Sequence, residues 1–90
     1  MLKFSSYPIP DEDSFKIEMP QDAKIISVKN EDGEVRLCAI VDPQSPKEIR
    51  KFQITKFDRF LEVKKKNLEY IGNFQSTNGT NSIFEIKQSL

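Results

Sequence analysis

The run from Ala23 to Asp42, AKIISVKNEDGEVRLCAIVD, constrains this chain more than any other, because it reads as two β-strands folded back at Asp32-Gly33. Asp-Gly between two apolar-polar alternations is a strong hairpin signal, since glycine accepts the positive φ of a primed turn without steric cost. With Asp32 and Gly33 as the loop, Val28 faces Leu37 and Ile26 faces Ala39, and Val35 and Val41 extend the same apolar side. The other side then carries Ile25, Ser27, Lys29, Arg36, Cys38 and Ile40, a mixed surface only partly suited to burial.

The flanking chain repeats the strand pattern. Leu2 to Ser6 alternates as an edge strand and ends at Tyr7-Pro8-Ile9-Pro10, where two prolines remove amide donors and enforce extended backbone. Asp11 to Ser14 is a turn. Phe15, Ile17 and Met19 alternate with Lys16 and Glu18, which predicts a second strand facing the core until Pro20 stops it. After a loop at Asp42-Pro43-Gln44-Ser45-Pro46, Arg50 to Thr55 forms another strand, with Phe52 and Ile54 on one side and Lys51, Gln53 and Thr55 on the other. Phe57 to Lys66 reads as a short strand or irregular excursion, with a one-turn helix as the alternative. Leu68 to Gln75 and Ser82 to Gln88 predict a terminal hairpin about Asn78-Gly79, in which Phe74 opposes Ile83 and Ile71 opposes Ile86. The expected fold is all-β: one small domain over residues 1–90, built as an antiparallel sandwich or partly closed barrel of six to eight short strands.

Composition removes several chemistries. There is no histidine, so the chain builds no Ser-His or Cys-His nucleophilic pair, and a zinc site would need carboxylates plus the single thiolate. Gly33, Gly72 and Gly79 are isolated and form no phosphate-cradling loop. No catalytic residue, metal site or cofactor is expected. Cys38 is the only cysteine, which precludes an intrachain disulfide; mid-strand, it reads as a small core residue. No apolar run is long enough to span a membrane and the opening MLKFSSYPIP lacks a signal-peptide pattern, so a cytoplasmic protein is expected.

Formal net charge is zero, which argues against a generic nucleic-acid binder, but the charge is unevenly spread. Residues 1–45 carry nine acids and five bases, leaving the remainder with a matching positive excess. Such halves can neutralise each other across strands or dock against a second copy. The basic segment also holds aromatics: Arg50, Lys51, Lys56, Phe57, Arg59 and Phe60 lie close together in sequence. They read either as a solvated face with the phenylalanines in the core, or as an anion site where bases hold phosphates and an exposed ring stacks on a nucleobase. Lys29 and Arg36 join this candidate set because the hairpin register sets these like charges opposite each other, an arrangement that a bound anion or a neighbouring acid would relieve.

Taken in order, Ile17-Glu18-Met19-Pro20, Ala23 to Val28, Leu37 to Pro43, Arg50-Lys51-Phe52, Tyr70-Ile71-Gly72 and Ile83 to Ile86 resemble a family of small uncharacterised β-rich proteins encoded by bacteriophages and prophages. The chain departs from that pattern at Cys38, where the family commonly has Trp, at Thr55-Lys56-Phe57, where it has Thr-Gly-His, and at Glu85, where it has His. Any shared activity resting on those groups is closed to this chain. The resemblance implies an accessory protein and no particular reaction. The expectation is a non-enzymatic, homo-oligomeric binding protein acting in the host cytosol. It would sequester a phosphorylated, nucleotide-type host immune signal or block a host defence protein. The alternatives are an assembly protein acting through exposed strand edges, and a nucleic-acid-binding accessory protein using Lys64-Lys65-Lys66.

Overall fold

Alternating apolar side chains become seven antiparallel strands in a computed structural model that describes residues 1–56, 67–77 and 79–87. They are β1 (Lys3–Pro8), β2 (Ser14–Pro20), β3 (Lys24–Glu31), β4 (Glu34–Val41), β5 (Lys47–Lys56), β6 (Leu68–Ser76) and β7 (Gly79–Ile86). Two open sheets result, ordered β1-β4-β3 and β2-β5-β7-β6, so the fold is a sandwich and the barrel alternative is set aside. Their inner faces share one core, in which Met19, Leu37, Phe52 and Ile83 are fully enclosed and Phe15 stacks on Phe52 at 5.5 Å. The inward set Phe15, Ile17 and Met19 is the one that alternation in β2 predicts.

The β3-β4 hairpin forms as expected at its tip. Asp32 and Gly33 take φ of 52° and 85°, the positive pair that a primed turn requires, and the Gly33 amide donates to Asn30 Oδ1 at 3.1 Å. Val28 pairs with Leu37, but further along the expected facing of Ile26 and Ala39 is wrong. A β-bulge between Ile25 and Ser27 inserts one unpaired residue, so Ile25 opposes Ala39 and packs against the core, while Ile26 turns outward and is 43% exposed.

The terminal hairpin is also corrected. Ser76 pairs with Gly79, whose φ is 110°, so this glycine begins β7 instead of sitting in the loop; Asn78 lies outside the described residues. Phe74 therefore opposes Asn81, not Ile83, and Leu68, not Ile71, opposes Ile86. Asn81 points inward and is buried, and its amide donates to Ser76 Oγ at 2.9 Å, which satisfies a polar group placed where the expected register had an apolar one. A second bulge, between Tyr70 and Gly72, resets the pairing beyond it.

β1 runs through Tyr7 and Pro8, further than its prolines suggested, which an edge strand permits because the missing donor costs no ladder bond. β5 begins three residues before Arg50, at Lys47. The segment Phe57 to Lys66 lies outside the described residues. Among the described residues no helix is long and apolar enough to cross a membrane.

Candidate ligand-binding face

Strand alternation sends every second side chain of β2, β5, β7 and β6 to the outer face of the four-stranded sheet, where register assembles them into rows. One row runs Lys16, Lys51, Ile86, Leu68 across all four strands. The next runs Ser14, Gln53, Phe84, Tyr70, and beyond it come Thr55, Ser82 and Asn73. Lys16 and Lys51 are direct cross-strand partners, and among the described residues neither makes an ion pair. Like charges so placed repel, at a cost of a few tenths of a kcal/mol to about 1 kcal/mol. Both line a shallow depression of about 370 Å³ together with Glu12, Ser14 and Ile86. Beside it, Tyr70 and Phe84 form an edge-to-face pair at 5.6 Å and 65°, and Tyr70 is 55% exposed. Cationic heads and an exposed ring on one face can hold a phosphate and stack a base.

Among the described residues, the expected set is not gathered into one site. Arg50 faces inward from β5 and is locked on Glu85, with Nε and Nη2 donating to the two carboxylate oxygens at 2.6 and 2.7 Å. Its Nη1 donates to the carbonyl of Ala23, immediately before β3, so this arginine ties one sheet to the other. The expected anion-binding role for Arg50 is replaced by an internal cross-link whose side chains are only 13% and 5% exposed. Burial pushes the Glu85 carboxyl up, but the Arg50 hydrogen bonds and the charges of Arg50 and Lys87 outweigh it and hold the group below its ordinary range. The hydrogen bond to Glu85 raises Arg50, and the bond to Glu69 raises Lys87, which bridges Glu69 at 3.0 Å and Glu85 at 3.3 Å.

Lys29 and Arg36 are opposite each other as expected, on the outer face of the three-stranded sheet, and neighbouring acids supply the relief. Arg36 binds Glu34 at 2.7 Å and donates to Ser6 Oγ at 2.9 Å, while Lys29 lies 3.9 Å from Glu31. Lys56, at the far end of β5, lines a separate cavity of about 430 Å³ with Asp11, Glu12 and Asp13. Phe57, Arg59 and Phe60 lie outside the described residues. Of the expected residues that are described, Lys51 alone lies on the face described above.

Lys16, Tyr70 and Phe84 were missed. The alternation of β2 does mark Lys16 as outward, but only the pairing of β2 with β5 brings it beside Lys51, strands far apart in sequence. Tyr70 and Phe84 become partners through the register that the sequence misplaced. Among the described residues no three His, Cys, Asp or Glu side chains are grouped to hold a metal.

No curated protein and no solved structure matches the chain. A family model, the domain of unknown function DUF7352, matches residues 2–86. The chain therefore belongs to the DUF7352 family.

Proposed function

We propose that this protein works by binding, without catalysis, and that its ligand is a phosphorylated, nucleotide-type molecule held on the outer face of the four-stranded sheet. The observation that carries this reading is the Lys16–Lys51 pair, two adjacent cations that make no ion pair among the described residues, on the same sheet face as the exposed ring of Tyr70. A bound phosphate would relieve their repulsion, and the ring would supply stacking. In the setting that the sequence resemblance suggests, a bacteriophage-encoded protein of this kind would sequester a host signal. Calorimetric titration with nucleoside mono-, di- and triphosphates tests the reading: saturable binding that Lys51→Glu abolishes is expected, and heats unchanged by Lys16→Glu and Lys51→Glu would overturn it.

A second reading, contact with another copy of the chain, rests on a different surface. Phe4 is 75% exposed on the open edge strand, Leu2 just before that strand is 67% exposed, and Ile26 stands outward across the same sheet. Lys29, Glu31, Glu34 and Arg36 rim this apolar patch with equal numbers of both signs, a pattern that a two-fold axis can match to itself. Light scattering after size exclusion distinguishes a dimer, which Phe4→Glu would dissociate, from a monomer that leaves the patch to solvent.

A further inference from the structure

Resting on the phosphate-binding reading above, we infer that the ligand is a single-stranded nucleic acid of at least two linked nucleotides, laid across the strands of the four-stranded sheet.

Lys16 on β2 and Tyr70 on β6 occupy opposite edges of a sheet ordered β2-β5-β7-β6, three inter-strand steps apart. At about 4.8 Å per step, and with Tyr70 one row further along the strands, the backbone separation is about 16 Å, and Lys51 lies about 12 Å from Tyr70. A nucleoside monophosphate carries its base and its phosphate as close neighbours, so one that stacks on Tyr70 leaves Lys16 unanswered. A linked second nucleotide places a phosphodiester at the lysines while the first base stacks. The two lysines are direct partners, which suits successive phosphates of one strand better than a single charge. Between the lysines and the ring, Gln53 presents an amide in the same row as Phe84 and Tyr70. It can donate to and accept from a base edge, which lysine cannot.

Duplex DNA does not suit this face. Glu18 follows Lys16 outward on β2 and Glu12 lines the depression, so two carboxylates stand beside the two lysines. A dense double row of phosphates would meet those acids with little net attraction, whereas an unpaired strand offers base faces to Tyr70 and needs few phosphate contacts. The zero formal net charge of the chain fits a ligand held as much by stacking as by charge.

The test is fluorescence anisotropy of the full chain with fluorescein-labelled oligothymidylates of one, two, four and eight nucleotides, and with an eight-base-pair duplex as comparison. Affinity is expected to rise steeply from one to four nucleotides and then level off, with the duplex weaker than the single strand. The logarithm of the binding constant against that of salt should have a slope of about −1.4 for two phosphates, falling to about −0.7 in Lys51→Gln. Tyr70→Ala should weaken binding about tenfold while leaving the salt slope unchanged, since stacking carries no counterion release. Both side chains are solvent-facing, so circular dichroism of the variants should match the parent. Mononucleotides that bind as tightly as the tetranucleotide would overturn this inference and leave the phosphate-binding reading standing. Absence of binding to every oligonucleotide and every mononucleotide would overturn both, and a tighter duplex would replace stacking with general polyanion attraction.

Discussion

Lys16 and Lys51 share one cross-strand site on the outer face, and what such a pair costs in stability can be separated from what it does. Lys16→Glu replaces repulsion with attraction, so urea denaturation should show a gain of about 0.2–1 kcal/mol, while any phosphate binding at this face is lost. The opposite case is Arg50 with Glu85. Removing one partner of an enclosed ion pair strands the other, so Glu85→Gln should destabilise the fold by about 3–5 kcal/mol, whereas replacing both with Met and Leu should cost far less. The pH dependence follows from the sign of the shift. Because the folded state holds the Glu85 carboxyl below its unfolded value of about 4.3, the group contributes stability that is complete above that pH. This contribution is lost as pH falls through the folded value, so acid-limb stability curves should be flatter for Glu85→Gln than for the parent. The partnership itself was illegible from the sequence: Arg50 reads as one member of a basic cluster, and only the path β5 to β7 brings it to a carboxylate near the end of the chain.

At the scale of strands, alternation was legible wherever the ladder is regular and failed at bulges and at one turn. β2 shows the first case, since Phe15, Ile17 and Met19 all face the core. β3 and β6 show the second, because one extra residue reverses the faces beyond it and nothing in IIS or YIG announces the insertion. Those two strands also meet. A methyl group added at Gly72 would lie 3.0 Å from Val28 Cγ2, closer than ordinary packing allows. Gly72→Ala should therefore destabilise the protein by about 1–3 kcal/mol, and Val28→Ala in the same chain should recover part of that loss. Thermal melts of the two single variants and the double variant measure the coupling, and strictly additive losses would mean that the two strands do not touch there.

For the molecule as a whole, the all-β character was legible because nearly every stretch outside the turns favours strands, but the choice of sandwich over barrel and the partition into sheets were not. Nothing local in β2 selects β5 over β4, and that choice decides which outward residues become neighbours. The arrangement leaves β4, β5 and β7 hydrogen-bonded on both sides and β1, β2, β3 and β6 on one side only. Amide exchange should therefore be slowest in β4, β5 and β7 and fast in β1. Protection of β1 equal to that of β4 would mean that a second chain covers the edge in solution. The bulge at Ile26 carries one more implication, for length variation within DUF7352. β3 holds one residue more than its ladder uses, so a deletion there straightens the strand while Val28 keeps its place opposite Leu37. The same holds at Ile71. Family members that are one residue shorter in β3 or β6 should carry their gaps at these two positions, and a gap elsewhere in either strand would turn a core residue outward.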